Sequence, residues 1–340
     1  MKMINLGAFC AGVLLGTQVF AQDVTLRLSE HFPTSHVGSR SGAQHFMERV
    51  NELAPGLVKF EHYPGEQLAK AAGQLDAVSK GLVDMAVVGL VYVSEKVPLS
   101  TGVELPGLFS DAEIGARAFF KLAQNELLEA EYKPLGIRPV FTFVVTPYQL
   151  MLASDEEVTD ISQIAGQKLR VAGATGELIA QSIGAVGVKI SPTDLYLALE
   201  RGVIDGAISN PGSQVTYKTD TLLNSWTTNA SLGNVAFGLF INQRRWDSLS
   251  QEVRDVLMRA GEETGVNVAQ AYIKSDQETF TKLREQGKMV YELSPEMLDT
   301  FNGRLQVVTE NWLEQMAQRN LPGQEILSAF EGYLEEERAK

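Results

Sequence analysis

Alternating strand and helix patterns occur twice along the chain, over residues 24–89 and 168–209. Short apolar runs predict the strands, and apolar positions three or four residues apart predict the helices between them. The predicted strands cover residues 24–32, 56–64, 83–89, 168–173, 186–191 and 204–209. Because a strand, a crossover helix and a parallel strand join with a right-handed connection, each pattern predicts a β-α-β-α-β unit with a parallel sheet.

A short phrase closes both patterns. It reads KGLVDMAVV over residues 80–88 and RGVIDGAIS over residues 201–209, with a basic residue, a glycine, two aliphatic residues and an aspartate in the same order. Ligands of open parallel sheets bind beyond the carboxyl ends of the strands, so two such units predict two lobes facing one cleft. We expect Asp84 and Asp205 to be turn or cap residues rather than acids of the cleft.

Helical spacing also runs through the last third of the chain. From Ser250 to about Lys288 it continues despite Gly261 and Gly265, and no proline interrupts it. This predicts a helix long enough to lie across both lobes. A further helix is predicted after Ser294, whose side chain is a typical N-cap.

The first 21 residues have the pattern of an export signal. Lys2 precedes a short apolar run, and Val19 and Ala21 occupy the positions that signal peptidase reads. We expect residues 1–21 to be a signal peptide and the rest to be exported. The only cysteine, Cys10, lies in this segment, so the mature chain would have no disulfide, thiol nucleophile or thiolate metal site.

The net charge and the motifs of the chain argue against several classes of function. The net charge of -13 makes the protein a poor partner for nucleic acid. The chain has no nucleophile-elbow motif, no phosphate-binding glycine loop and no short histidine, cysteine or aspartate spacing of a metal site. We therefore predict no catalytic residue, no metal site and no cofactor.

Seven segments together resemble one known family. They are HFP, YPGEQL, GQLDAVSKGLVDMAVV, ELPGLF, IAGQKLRVAG, IGAVGVKISPTDLYLALERGVIDG and INQRRWDSLSQEVRDVL. They resemble, in order, the substrate-binding proteins of tripartite ATP-independent periplasmic (TRAP) transporters, of the dicarboxylate-binding type. The resemblance implies a two-lobe α/β periplasmic solute-binding fold with a hinge, crossing strands and a long helix spanning both lobes. It also implies capture of a small organic acid and delivery to TRAP permease membrane subunits for uptake driven by an ion gradient.

We expect each of the two lobes to be built from two separate stretches of the chain. We expect lobe I to comprise residues 22–146 with about 236–270. Lobe II would comprise residues 147–235 with about 271–340.

The resemblance also implies the ligand-binding residues. Arg170, in the KLRVAG segment, corresponds to the cleft arginine that grips a carboxylate, and its planar guanidinium matches both carboxylate oxygens. The family's loop asparagine before proline corresponds to Asn210, but DGAISNP holds one residue more than the common pattern. Either Asn210 or Ser209 therefore takes that role.

One departure from the family bears on the ligand. Many relatives with sugar-acid or small polar-acid ligands carry a second arginine about twenty residues before the first, where this chain has TPYQLML with Tyr148 and Gln149. Further candidates for the cleft wall are Tyr92, Phe237, Trp226 and His31. A single arginine among aromatic side chains predicts a monocarboxylate with an apolar or aromatic body.

Two other functions stay open at this point. An exported enzyme acting on organic acids would need a nucleophile and a base in the cleft. A sensory protein would present the same ligand to a receptor rather than to a permease.

Overall fold

The structure is a computed structural model that describes residues 24–340, so the predicted signal peptide lies outside the described residues. Its strands are β1 (Val24–Ser29), β2 (Val58–Tyr63), β3 (Met85–Gly89), β4 (Ile137–Val144), β5 (Gln149–Leu152), β6 (Lys168–Val171), β7 (Val186–Lys189), β8 (Gly206–Ser209), β9 (Ser225–Thr227), β10 (Ala236–Asn242) and β11 (Met289–Tyr291). Its α-helices are α1 (His45–Leu53), α2 (Gln74–Ser79), α3 (Ala112–Gln124), α4 (Gly173–Ser182), α5 (Leu195–Glu200), α6 (Pro211–Thr216), α7 (Gln243–Asp247), α8 (Gln251–Glu285), α9 (Pro295–Gln318) and α10 (Gly323–Arg338). Among the helices of the described part, none has the length and apolarity needed to cross a membrane.

Two sheets with the same internal arrangement form the two lobes. The first has the order β2-β1-β3-β10-β4 and the second the order β11-β9-β5-β8-β6-β7. In the first, β1 is parallel to β2 and β3, and β10 runs antiparallel to β3. In the second, β6 is parallel to β7 and β8, and β5 runs antiparallel to β8. The order β2-β1-β3-β10 thus corresponds to β7-β6-β8-β5, which confirms the predicted repeat.

The repeated phrase forms the same turn in both lobes. Gly81 and Gly202 end the preceding helical turns with φ angles of 73° and 63°, in the left-handed region that glycine adopts without strain. Directly before β3, at its entry, the Asp84 carboxylate accepts the Arg27 N–H of β1 at 2.8 Å. The Asp205 carboxylate accepts the Lys168 N–H of β6 at the same distance. The two aspartates therefore tie neighbouring strands together, as predicted for turn residues.

Two crossing segments connect the sheets. The chain passes from β4 to β5 through residues 145–148 and returns from β9 to β10 through residues 228–235. The crossing segments are hydrogen-bonded to each other, because the Tyr148 N–H donates to the Gly233 carbonyl at 2.7 Å and the Leu232 N–H donates to the Tyr148 carbonyl at 2.8 Å. Paired backbone at this place provides the predicted connection between the lobes.

Helix α8 spans both lobes. It packs on β4 and α1 of the first lobe and on α6 of the second. A Cβ atom at Gly261 would lie 2.2 Å from the Val140 carbonyl oxygen, and one at Gly265 would lie 2.7 Å from the Thr142 carbonyl oxygen. These glycines therefore let the helix approach the backbone of β4, and they do not break it.

Apolar spacing over residues 67–81 predicts one helix that stops at Gly81, but the helix in the structure is shorter. Helix α2 begins at Gln74, after a 3₁₀ turn at Ala71–Gly73. The backbone of Glu66 has a φ of 64°, and its carboxylate accepts the Ala71 N–H at 2.9 Å. This turn occupies the segment where apolar spacing alone predicted helix.

The last two helices bridge the lobes. Helix α9, capped by Ser294 as predicted, packs on α4 of the second lobe, whereas α10 packs on α3 of the first. The predicted lobe boundaries stay a prediction, and they do not anticipate this contact of α10 with the first lobe.

The contact of α8 with β4 predicts a stability difference between two glycine positions. Gly261→Ala should lower the free energy of unfolding by about 1–3 kcal/mol, because the new methyl group overlaps the Val140 carbonyl. Gly303→Ala on α9, where no atom lies within 4 Å of the added carbon, should raise it by about 0.5–1 kcal/mol through helix propensity. Urea unfolding monitored by circular dichroism measures both. Stabilisation by both substitutions would contradict the close contact.

Candidate ligand-binding site

A small cavity lies between the lobes, where loops after β1, β3 and β8 meet the start of β10. Its volume of about 30 Å³ is room for little more than a water molecule. Its lining residues are Phe32, His36, Tyr92, Val145, Tyr148, Arg170, Pro192, Leu195, Ser209, Asn210, Ser213, Gln214, Tyr217, Phe237 and Tyr272. This is the crevice beyond the strand ends that the doubled sheet predicts.

Arg170 brings a buried positive charge to this cavity. It lies on β6 and is 3% exposed. Its Nε donates to the Ile190 carbonyl at 3.0 Å, which fixes the plane of the guanidinium. Its Nη2 is buried without a hydrogen-bond partner, and no carboxylate of residues 24–340 forms an ion pair with it. A buried, unpaired guanidinium N–H is costly, which fits the predicted role of Arg170 in binding a carboxylate; that role stays a prediction.

Two tyrosines stand beside this guanidinium. Burial raises the pKa of the Tyr92 hydroxyl, and the charge of Arg170 acts in the opposite direction. Burial also raises the pKa of Tyr148, which is 8% exposed. Both hydroxyls are therefore neutral hydrogen-bonding groups next to Arg170.

The end of β8 distinguishes Asn210 from Ser209. Asn210 is 4% exposed, and its Nδ2 has no hydrogen-bond partner among the residues described. The Ser209 hydroxyl oxygen accepts a hydrogen bond from Gln214 at 3.0 Å. The geometry therefore leaves Asn210 with the free donor, and the role of either residue in binding stays a prediction.

Asp276 of α8 anchors the first turn of α6, directly after Asn210, and sequence reasoning did not single it out. Its carboxylate accepts the Gly212 N–H at 2.7 Å and the hydroxyl of Thr146, which lies in a crossing segment. Burial raises the pKa of Asp276 to about 6. The long helix, the crossing and the loop that carries Asn210 thus meet at one carboxylate.

Some of the aromatic candidates line the cavity, and another packs behind its wall. Tyr92, Tyr148 and Phe237 line the cavity, whereas His31 does not. The His31 ring stacks on Phe237 with a centroid distance of 5.9 Å and an interplanar angle of 11°, and burial lowers its pKa to about 4. His31 therefore supports the wall as a neutral ring.

Two other residues singled out in the sequence, Trp226 and Gln149, do not line the cavity. Trp226 is fully buried in the second lobe, and its Nε1 donates to the Leu223 carbonyl at 3.2 Å, so it forms core rather than cavity wall. Gln149 accepts the Ala230 N–H at 2.9 Å, so it fastens the returning chain and does not replace an arginine.

Sequence reasoning missed four aromatic members of the lining: Phe32, His36, Tyr217 and Tyr272. Phe32 and His36 follow β1, and position beyond the carboxyl end of a parallel strand was an available signal for them. In the sequence, Tyr272 occupies an apolar position at helical spacing within α8. Its ring belongs to the apolar face of that helix, but it also reaches the cavity.

His36 and Ser213 form a hydrogen bond from one lobe to the other. Nε2 of His36 lies 3.0 Å from the Ser213 hydroxyl, and the Gly38 N–H donates to Nδ1 at 3.0 Å. Because Nδ1 accepts, the ring proton sits on Nε2 and is donated to Ser213. Burial lowers the pKa of His36 to about 3, so the ring is neutral at physiological pH.

No group of three or more histidine, cysteine, aspartate or glutamate side chains with metal-site geometry occurs within the described region.

A family model described as bacterial extracellular solute-binding protein, family 7, matches residues 30–316. The chain belongs to this family. Members of family 7 are binding proteins, and the resemblance inferred from the sequence motifs is confirmed. The C4-dicarboxylate-binding periplasmic protein of Rhodobacter capsulatus is 26% identical over 262 residues, which are 75% of this chain and 75% of that protein.

Solved structures of similar fold include two TRAP solute-binding proteins. One, from Rhodoferax ferrireducens in complex with copurified benzoate, has a TM-score of 0.85 and 21% identity, covering 93% of this chain and 99% of that one. Another, from Bordetella bronchiseptica with bound (R)- and (S)-mandelate, has a TM-score of 0.83 and 23% identity, covering 92% and 99%. These similarities confirm the two-lobe fold predicted for this family 7 protein.

Glu104 lies beneath the crossing segments of this family 7 protein. One carboxylate oxygen accepts the Ala236 N–H at 2.9 Å, and the other is buried with no partner among residues 24–340. Burial raises the pKa of Glu104 to about 8. The carboxyl is therefore protonated in the folded protein at pH values where it ionises in the unfolded chain.

The Glu104 environment predicts how stability depends on pH. Between about pH 4.5 and 8 the folded state holds a proton that the unfolded state has lost, so rising pH lowers the free energy of unfolding. Glu104→Gln stays neutral, and its stability relative to wild type should therefore increase across this window, by at most about 1.4 kcal/mol per pH unit.

Chemical denaturation at several pH values measures this difference. Glu48→Gln, at an exposed position of α1, serves as the control and should keep the wild-type pH profile. Parallel profiles for wild type and Glu104→Gln would contradict a buried, protonated Glu104.

Proposed function

We propose that this protein captures a small organic acid between its lobes and delivers it to the membrane subunits of a TRAP permease for uptake driven by an ion gradient. The observation that carries the proposal is the buried Nη2 of Arg170, which faces the cavity without a partner. A carboxylate there would accept two parallel N–H bonds and neutralise the buried charge. Asn210 would add its free amide donor to the same anion.

The ligand is proposed to be a monocarboxylate with an apolar or aromatic body. Arg170 is the only lysine or arginine of the cavity lining, so a second carboxylate would lie in a dry site without a cation. Aromatic rings form much of the remaining wall and favour an apolar body. The benzoate and mandelate complexes of the structural neighbours support this class, and the dicarboxylate-binding relative represents the competing one.

Ligand capture would require the lobes to separate. A cavity of about 30 Å³ is too small for an organic acid, and its lining comes from both lobes. Opening about the paired crossing segments would admit the ligand, and closure would surround it. Contacts with both walls would then favour the closed state.

The periplasm is the proposed location, because the first 21 residues have the pattern of an export signal. The named periplasmic relative supports the same location. The TRAP names of the structural neighbours support delivery to a permease.

We propose that the cavity binds its ligand without catalysing a reaction. The reason is the direction of one hydrogen bond. The cavity contains a serine and a histidine in contact, Ser213 and His36, as a hydrolase would need. However, Nε2 of His36 already carries its proton and donates it, so it cannot accept the proton of the serine hydroxyl. The low pKa of His36, about 3, also disfavours a role as general base.

The proposed ligand class predicts the outcome of a thermal-shift panel. Monocarboxylates such as benzoate and mandelate should raise the melting temperature more than dicarboxylates such as succinate or sugar acids such as glucuronate. A ligand that binds only the folded state at a hundred times its dissociation constant stabilises that state by about 2.7 kcal/mol. A response to dicarboxylates alone would contradict the proposed class.

A further inference from the structure

The contacts proposed for the carboxylate, at Arg170 and Asn210, do not involve the hydrogen-bonded pair of His36 and Ser213. His36 follows β1 in the first lobe, and Ser213 lies in α6 of the second lobe. The two side chains are 1% and 7% exposed, and both line the cavity. Because the pair joins residues of opposite lobes, it depends on their closed arrangement.

The pair is neutral and leaves one donor unused. His36 donates its only ring proton to the Ser213 oxygen. The Ser213 hydroxyl donates no hydrogen bond to any acceptor in the described part of the chain, so its proton is available to a group in the cavity. Accepting a hydrogen bond polarises a hydroxyl and makes it a better donor.

The surroundings of the pair are hydroxyl-bearing aromatic rings. The ring centroid of Tyr217 lies 5.6 Å from that of His36, and that of Tyr272 lies 6.3 Å away. Burial raises the pKa of both tyrosines, so both keep their protons. This part of the cavity thus offers neutral groups that can donate and accept, whereas Arg170 supplies the positive charge.

Resting on the proposed function, we propose that His36 and Ser213 recognise a hydroxyl group on the body of the ligand. The cognate ligand would then be a hydroxylated monocarboxylic acid, with its carboxylate on Arg170 and its hydroxyl on Ser213. A ligand hydroxyl accepts the free proton of Ser213 and donates its own proton to a neighbouring oxygen. A second carboxylate would find no positive charge at this pair.

Matched acids test the inference by calorimetric titration. The pairs are benzoate with 3-hydroxybenzoate and phenylacetate with mandelate, which differ by one hydroxyl group. One good hydrogen bond to a neutral group predicts that a hydroxylated acid binds about tenfold more tightly than its parent. In Ser213→Ala the hydroxylated acid and its parent should both bind more weakly, and the preference for the hydroxylated acid should fall to about twofold or less.

Two further variants complete the experiment. In the double variant Ser213→Ala with His36→Phe, the ring stacked on Phe32 is kept while both polar groups are removed, so the preference should vanish. Ser182→Ala on α4, a serine outside the lining, should keep the wild-type preference.

The outcomes separate the two proposals. Equal affinity for parent and hydroxylated acids in the wild-type protein would overturn the role of the pair and leave the carboxylate proposal intact. A preference that survives the double variant would also overturn it. Failure of every acid to bind would overturn both.

Discussion

A buried guanidinium with an incomplete set of hydrogen bonds dominates the energetics of the cleft. Arg170 is held by one carbonyl, that of Ile190, and no described residue neutralises it. Such a charge is costly to bury unless an anion pairs with it, which is why the proposed function places the ligand carboxylate at Arg170. The fold bears this cost in the unliganded state, and under the proposed function a carboxylate would offset it.

The two similar sheets place the charge of Arg170 at the crevice between the lobes. The order β7-β6-β8-β5 puts β6 inside its sheet, and the carboxyl end of β6 opens onto the crevice between the lobes. The loop after β1 lies against α6 across the crevice, where His36 and Ser213 are hydrogen-bonded. Helix α8 lies against both lobes, and its Asp276 fixes the loop that carries Asn210.

Sequence reasoning reached the architecture and six of the fifteen residues that line the cavity. The repeated turn phrase predicted two units because glycine and aspartate at that turn perform fixed backbone roles, which Asp84 and Asp205 fulfil. Arg170 came from its motif and not from composition. By contrast, Trp226 looks like any other aromatic residue near a crossing, and only packing assigns it to the core.

The parts that were missed depend on contacts distant in sequence. The partner of His36 is 177 positions away, so nothing in its own segment indicates a bond across the cleft. Asp276 reads as a polar position of a long helix, although it joins a loop and a crossing segment. The start of α2 was misplaced because a backbone turn at Glu66 overrides apolar spacing.

The most direct test of the account is calorimetric titration of Arg170→Ala and Arg170→Lys with an acid that the wild-type protein binds, beside melting curves without ligand. Removing the guanidinium leaves the ligand carboxylate unpaired in a dry site, which should cost about 3–5 kcal/mol, or on the order of a hundred- to a few thousand-fold in affinity. Lysine should restore little, because an ammonium group lacks the planar fork.

Both variants should fold, since the missing partner of Arg170 is the ligand and not another residue. Binding of Arg170→Ala within a few-fold of wild type, together with a lowered melting temperature, would contradict the account and assign Arg170 to the structure of the second lobe alone.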